Sequence, residues 1–281
     1  MEPEQLAERV WPGQQVAIEP LGGGITNRNF KVEADGRTFV LRIGGRDTEL
    51  LGIDRSAEYA ASSVAADLGL GPEVVAYLEP EGYLVTRYVD GEVGKVDVDR
   101  VGAALRRLHD GPHLPGRFDS FRVVEAYLDT AHEHGVDVPS AYERAKELAD
   151  QIERRRSDAP LRPCHNDLLN ANFIDDGVRL WLVDWEYAGM GDPFFDLGNF
   201  AVNHELTEEA EHALLSAYGS DDADALVLMR FMSDFREAMW GVVQLAISEL
   251  DFDFATYAEE HFERLARTAA EARFLSALQA P

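Results

Sequence analysis

The sequence predicts an α+β protein in which a small β-rich lobe, residues 1–90, precedes a larger helical lobe, residues 91–281. From Val16 to about Tyr88, strand-like runs alternate with one helix. Beyond that point helical periodicity dominates, interrupted by a hairpin between Asn172 and Trp185. A chain of 281 residues is long enough to form two lobes around a sizeable core.

Composition narrows the class of protein. With 46% hydrophobic and 28% charged residues, the chain is typical of a soluble globular protein, and no apolar run reaches membrane-spanning length. The start, MEPEQLAERV, lacks the basic and apolar regions of a secretory signal, so we expect a cytoplasmic protein without membrane insertion. The single Cys164 excludes an internal disulfide and a thiolate zinc cluster, and we expect it to be a small buried side chain.

The charge balance points to the kind of partner. The chain has 52 Asp and Glu against 26 Lys and Arg, a net charge of -26. Such a surface repels nucleic acid and anionic membranes and attracts cationic solutes, although it also serves solubility alone. The sequence leaves the oligomeric state open.

The first lobe contains a strong hairpin signal at Asp35-Gly36, since a two-residue type I′ turn needs positive φ at both positions. This turn predicts one sheet face with Val32 opposite Phe39 and Phe30 opposite Leu41. The other face then holds Asn29, Lys31, Val40 and Arg42. Upstream, the glycines of GGGITN are either a flexible turn or a loop whose free amides contact a phosphate.

A helix follows the hairpin, with Asp54 as the predicted N-cap and Gly69 as the stop. Most of its residues are alanine, serine, tyrosine and leucine, so Glu58 stands out. Glu58 is either a solvated residue favoured by the helix dipole or a partner of Arg42. In the second reading, the ion pair would hold a phosphate-binding cation in position.

The stretch CHNDLLNANF in the second lobe is dense in polar residues, and the strand after its hairpin ends at Asp184. Asp167 could act as a base, while Asn172 and Asp184 offer the hard oxygen ligands that Mg²⁺ prefers. Phosphoryl transfer needs both functions. The pattern is weak alone but strong behind a glycine loop, a strand cation and a helix glutamate.

In these motifs the chain resembles the choline/ethanolamine kinases, within the protein-kinase-like aminoglycoside phosphotransferase superfamily. The resemblance extends from GGGITN to the C-terminal helices and implies a two-lobed kinase-like fold that uses ATP and Mg²⁺. It implies Asp167 as catalytic base, with His165 shaping its loop. It implies Asn172 and Asp184 as metal ligands, and Asp196 as a brace for the catalytic loop.

The same resemblance assigns the nucleotide site. It implies Arg42 and Glu58 as the ion pair, and the TRYVDGE stretch, with Thr86 and Tyr88, as the hinge that contacts adenine. The implied phosphate loop contains Gly22, Gly23, Gly24, Thr26 and Asn27. Lys31 is the rival cation because it shares a sheet face with Arg42. We favour Arg42 because arginine at this position resembles the choline kinase branch and can fork onto phosphate or carboxylate.

The segment EAMWGVVQLAISELDFDFATYAEEHF is the most informative about the acceptor. Its aromatic residues are either core residues or, as the resemblance implies, walls of a cation pocket formed by Tyr187, Trp240, Phe252 and Tyr257. Aromatic faces attract ammonium groups by roughly 0.5 to 2 kcal/mol per contact. Glu237 stands where eukaryotic choline kinases commonly have tryptophan, which favours an amine but weakens the case for strict choline specificity.

The predicted function is transfer of the ATP γ-phosphate to choline, ethanolamine or a related amino alcohol. The same fold could instead act on thiamine, an aminoglycoside or an amino sugar. A cation-binding protein without catalysis is the alternative from another class. The presence of Asp167, Asn172 and Asp184 together argues against that alternative, since a pure binder needs none of them.

Overall fold

The structure, a computed structural model, describes residues 2–22, 27–45, 48–94, 96–248, 250 and 252–280. Within these ranges, the N-terminal part contains a five-stranded antiparallel sheet and the rest is mostly helical. This confirms the predicted α+β class. The lobe boundary at residue 90 stays a prediction.

The sheet has the strand order β1-β2-β3-β5-β4. Its strands are β1 (Val16–Leu21), β2 (Arg28–Ala34), β3 (Arg37–Ile43), β4 (Val74–Leu78) and β5 (Tyr83–Arg87). One of its faces packs with helix α1 (Pro3–Val10) around a small apolar core. Helix α2 (Arg55–Asp67) connects β3 to β4.

The predicted hairpin is confirmed in register and in turn. Asp35 and Gly36 both have positive φ, 50° and 68°. Val32 lies opposite Phe39, and Phe30 opposite Leu41, all of them buried. The alternation therefore leaves Arg42 on the face directed away from this core.

Helix α2 begins and ends as the sequence predicts. The Asp54 carboxylate accepts hydrogen bonds from the Ser56 and Ala57 amides, at 2.8 and 3.1 Å. The chain leaves the helix at Leu68 and Gly69, and the latter has φ of 64°. This fixes the first turn of α2, which contains Glu58, beside the sheet.

The helical part is organised around one long buried helix, α8 (Ala223–Ile247), which packs against α4, α6, α9 and α10. Its other helices are α3 (Val98–His109), α4 (Ser120–Glu133), α5 (Ala141–Arg155), α6 (Pro193–Asn203), α7 (Glu208–Tyr218), α9 (Phe254–Ala270) and α10 (Ala272–Gln279). None of the helices within the described ranges combines the length and hydropathy of a bilayer-spanning segment.

Short strands frame the polar stretch. The predicted hairpin is formed by β8 (Phe173–Asp175) and β9 (Leu180–Leu182), and β6 (Glu92–Val93) pairs with β8. A second pair consists of β7 (Arg162–Cys164) and β10 (Gly189–Gly191). The polar stretch runs between β7 and β8, so both of its ends are fixed by strand pairing. Cys164 is buried at the end of β7, as expected.

Candidate active site

The loop after β7 is held by buried side chains of α6. Asp196 accepts hydrogen bonds from the backbone amides of His165 and Asn166, at 2.8 and 2.7 Å. Asn199 accepts one from the Leu168 amide at 2.5 Å. Asn166 has φ of 65°, a left-handed conformation that asparagine tolerates. These bonds satisfy the amides of a buried loop and fix the direction of the next side chain, Asp167.

His165 lies behind this loop in a fully buried position. Its Nε2 lies 3.0 Å from the Val183 carbonyl oxygen, which precedes Asp184. Burial lowers the pKa of His165 to about 4, so its imidazole is neutral at neutral pH. A neutral ring can donate to the Val183 carbonyl and link the loop to the residue that follows β9.

Asp167 is a buried carboxylate with a donor on each oxygen. Asn172 donates from Nδ2 to Oδ2 at 3.2 Å and to the Asp167 carbonyl at 2.8 Å. Arg236 donates from Nη1 to Oδ1 at 3.2 Å. Burial, and then the charges of Glu237, Asp184 and Glu186, raise the pKa of Asp167 to about 7, against the opposing effect of Arg236. A carboxylate with this pKa is a better proton acceptor than an exposed one.

Arg42, on strand β3 of the sheet, contacts three carboxylates. Its guanidinium lies 2.9 Å from Glu58, 2.5 Å from Asp184 and 2.8 Å from Glu186. Burial raises the pKa of Asp184 to about 6, although Arg42 opposes this shift. The Asp184 side chain is 22% exposed, the most open of these three carboxylates. Its oxygens can therefore reach a ligand in the adjoining cavity.

Lys31 has different neighbours from Arg42. Its Nζ lies 5.3 Å from the centre of the Tyr88 ring and 3.6 Å from the Glu33 carboxylate. Arg42 lines the cavity described below, whereas Lys31 is absent from its lining. Geometry therefore favours Arg42 as the cation of the site.

A cavity of about 410 Å³ is lined by four carboxylates of the site, those of Asp167, Asp184, Glu186 and Glu237. Sheet and hinge residues line it, including Val40, Leu84, Thr86 and Tyr88. The same cavity is lined by Asp167, Asn172, Asp184, Tyr187, Glu237, Trp240 and Tyr257. Its volume suits a small ligand in a mostly apolar surrounding with a few convergent polar groups. The structure thus brings most of the predicted nucleotide, catalytic and acceptor residues together.

The aromatic residues divide between cavity and core. The rings of Trp240 and Tyr257 meet edge to face, with centroids 5.6 Å apart, and Tyr257 donates its hydroxyl to Glu237 at 2.7 Å. Phe254 is buried in the core beside Trp240. Phe252, predicted to line the pocket, is absent from the cavity lining, and its ring centroid lies 6.0 Å from that of Tyr257. It precedes the N-cap residue of α9, outside the helix, and is 44% exposed.

Three charged residues of the site were missed by the sequence reasoning. Arg55 contacts Glu58 at 2.6 Å and Glu186 at 3.1 Å, and Arg236 contacts Asp167. The available signals were weak: Glu186 follows Asp184 by two residues, and the pair Arg236-Glu237 interrupts an apolar run. Neither signal identifies a partner, because Glu186 and Arg236 contact residues far away along the chain. The Arg55–Glu58 pair, three residues apart on α2, was the one local signal.

The glycine loop is described only at its ends. Gly22 lines the cavity, and Asn27 donates from Nδ2 to Glu186 at 3.0 Å. The predicted loop residues Gly23, Gly24 and Thr26 lie outside the described residues. Their contact with phosphate stays a prediction.

A protein family and several known proteins match the sequence of this chain. Residues 17–231 match the phosphotransferase enzyme family. Protein LicA of Haemophilus influenzae is 30% identical over 208 residues, which cover 70% of this chain and 61% of that protein. Human ethanolamine kinase 2 is 27% identical over 316 residues, covering 96% of this chain and 80% of that protein.

A solved structure extends the similarity to the whole fold. The crystal structure of a choline/ethanolamine kinase family protein from Mesorhizobium loti has a TM-score of 0.83 to this chain at 32% identity. The match covers 98% of this chain and 97% of that one. The kinase-like fold is therefore shared over nearly its full length.

Proposed function

Because the chain belongs to the phosphotransferase enzyme family, we propose that it transfers the γ-phosphate of ATP to the hydroxyl of choline, ethanolamine or a related amino alcohol. The observation that carries the proposal is the single cavity in which Asp167 lies with the aromatic residues Trp240 and Tyr257. The proposed reaction requires neither a membrane nor nucleic acid. We propose that the protein carries it out in the cytoplasm.

Asp167 acts as the general base. Its carboxylate accepts the proton of the acceptor hydroxyl as the oxygen attacks phosphorus. Asn172 and Arg236 hold the two oxygens of Asp167, so the carboxylate keeps one orientation toward the acceptor. Fixing the base and the acceptor in one geometry lowers the entropic part of the barrier.

The nucleotide occupies the part of the cavity lined by the sheet and the hinge. Val40 and Leu84 offer apolar surface to adenine, and Thr86 and Tyr88 lie at the hinge. Arg42 binds phosphate oxygens while Glu58 orients its guanidinium. Arg55 shares Glu58, and this second pair stiffens the first turn of α2.

The oxygen-rich group in the cavity suits Mg²⁺. Asp184 and Asn172 are hard oxygen ligands, and both line the cavity beside Glu186. When bound, the ion neutralises charge on the phosphates during transfer. Asp184, the more exposed carboxylate, and Asn172 would hold it.

The acceptor's ammonium lies against the faces of Trp240 and Tyr257. Tyr187 also lines this end, but the Arg236 guanidinium lies over its ring, 4.3 Å from the centre. Glu237 adds negative charge near the ammonium. A pocket with aromatic walls and a buried carboxylate favours a small cation over a neutral alcohol.

A coupled ADP-release assay tests the proposal with choline, ethanolamine, thiamine, an aminoglycoside, an amino sugar and the neutral analogue 3,3-dimethylbutanol. Turnover of choline or ethanolamine, without turnover of the neutral analogue, is expected. Asp167→Asn should reduce kcat by about 10² to 10⁴ while ATP affinity changes little, because the base acts on the acceptor. Exclusive use of an aminoglycoside would reject the acceptor class. If Asp167→Asn keeps kcat within about threefold of wild type, Asp167 is not the general base, because removal of a general base lowers kcat by a larger factor.

A further inference from the structure

Arg236 is a buried charge in the middle of α8. It is 2% exposed, and the helix around it is buried on all sides from Ala225 to Gln244 apart from Arg230. Its Nη1 donates to Asp167 at 3.2 Å and also to the neighbouring carboxylate of Glu237. Its guanidinium stacks on the ring of Tyr187. All of these contacts are on the side of α8 that borders the cavity.

The stability of α8 does not explain an arginine here. Its Nε and Nη2 atoms have no hydrogen-bond partner within the described part of the chain. Burying a guanidinium with incomplete hydrogen bonding is destabilising, and an apolar side chain of similar size avoids that desolvation cost. The contacts that distinguish Arg236 from such a side chain are those with Asp167 and Glu237.

Glu237 completes the arrangement from the other side of Arg236. Its Oε1 accepts from Arg236, and its Oε2 accepts from the Tyr257 hydroxyl. Both oxygens of Glu237 therefore have a donor, and Arg236 and Tyr257 together fix the orientation of this carboxylate. By sharing the Arg236 charge, Glu237 prevents Asp167 from being the sole counter-ion of the guanidinium.

We propose that Arg236, held by Glu237, is a positioning residue that fixes the orientation of the Asp167 carboxylate toward the acceptor hydroxyl. The inference rests on the proposed function, in which Asp167 is the base. The row Tyr257, Glu237, Arg236 and Asp167 links the wall of the acceptor pocket to that base. In this arrangement Glu237 supports the chemistry that is common to all acceptors.

Steady-state kinetics of Arg236→Met with saturating choline or ethanolamine test the proposal. We expect kcat to fall by about 10²-fold, the scale of a misoriented catalytic group, with KM for ATP and acceptor within about threefold. Arg236→Lys, which keeps the charge, should recover part of kcat. Arg230→Met is the matched control, because Arg230 lies on the same helix and pairs with Glu211 outside the cavity. It should retain wild-type kcat.

The double variant Arg236→Met/Glu237→Gln covers the case in which Arg236→Met fails to fold, since it removes both charges of the pair. We expect it to melt within a few degrees of wild type and still to lose kcat. Glu237→Gln alone should lower kcat equally for choline and ethanolamine. A change in acceptor preference with unchanged kcat would overturn the role of Glu237 as counter-ion.

Wild-type kcat in a folded Arg236→Met or in the double variant would overturn the positioning role. That outcome is distinct from failure of the proposed function. If Asp167→Asn is inactive while Arg236→Met is fully active, the kinase assignment stands and only the inference on Arg236 fails. If Asp167→Asn is active, the base assignment fails first.

Discussion

At the scale of single residues, two arginines of the site share three carboxylates. Arg42 contacts Glu58, Asp184 and Glu186, and Arg55 contacts two of the same three. Breaking one such buried pair leaves an uncompensated charge, so the residues act as a unit. Their contributions to nucleotide binding should therefore not add.

A double-mutant cycle on Arg42 and Glu58 tests this coupling. Arg42→Ala and Glu58→Ala should each raise the KM for ATP, because one removes the phosphate cation and the other its orienting partner. The double variant should cost less than the sum by roughly 0.5 to 3 kcal/mol of coupling energy. Lys31→Ala is the control, with ATP kinetics within about twofold of wild type, as for surface changes. A larger effect of Lys31→Ala than of Arg42→Ala would transfer the role to Lys31.

At the scale of elements, the sequence predicted correctly the features that depend on residues close together along the chain. The hairpin register follows from a period of two and an Asp-Gly turn, both contained within residues 30–42. The cap of α2 likewise depends on Asp54 and the next three residues. By contrast, the contact of Arg236 with Asp167 joins residues 69 positions apart. No pattern along the chain specifies such a pair, and only packing of α8 against the loop creates it.

The cap of α2 supports a prediction about the element as a whole. Asp54→Ala should cost about 1 kcal/mol of unfolding free energy, measured by urea denaturation, because the Ser56 and Ala57 amides lose their acceptor. It should also raise the KM for ATP, since the first turn of α2 positions Glu58 and Arg55.

Asp97→Ala provides the matched control for this prediction. Asp97 caps α3 through the Arg100 amide at 3.1 Å and lies outside the cavity lining. A similar loss of stability with an unchanged KM for ATP is expected. Equal KM values for the two variants would show that the start of α2 does not position the nucleotide site.

At the scale of the whole molecule, the net charge of -26 belongs to a chain whose proposed acceptor is a cation. A field of that sign raises the local concentration of cations and keeps the chain soluble, at the cost of self-repulsion in the compact state. The prediction of the fold succeeded because it used two features of the whole chain, the order of the motifs and the change from strand to helix periodicity. The acceptor itself is decided by a few side chains, which such features do not specify.

Acid should destabilise the fold through His165, which is buried, and His204, which is half-buried. The ring of His204 packs on Phe200 at 4.1 Å and on Phe173 at 5.3 Å, and burial lowers its pKa to about 4. Burial likewise lowers the pKa of His165 to about 4. A histidine in the unfolded chain titrates near pKa 6.5, so between about pH 6.5 and 4 the unfolded state binds more protons. The stabilisation from each neutral ring is complete above pH 6.5 and is lost as the pH falls.

Replacing His204 isolates its share of this pH dependence. His204→Phe keeps an aromatic ring against Phe173 and Phe200 but cannot be protonated. At pH 5 it should gain roughly 1 to 2 kcal/mol over wild type, relative to the same difference at pH 8. Urea denaturation at both pH values measures this, and the pH 8 pair reports the cost of repacking alone. A difference between the two proteins that is the same at pH 5 and pH 8 would show that His204 can be protonated in the folded state as readily as in the unfolded chain.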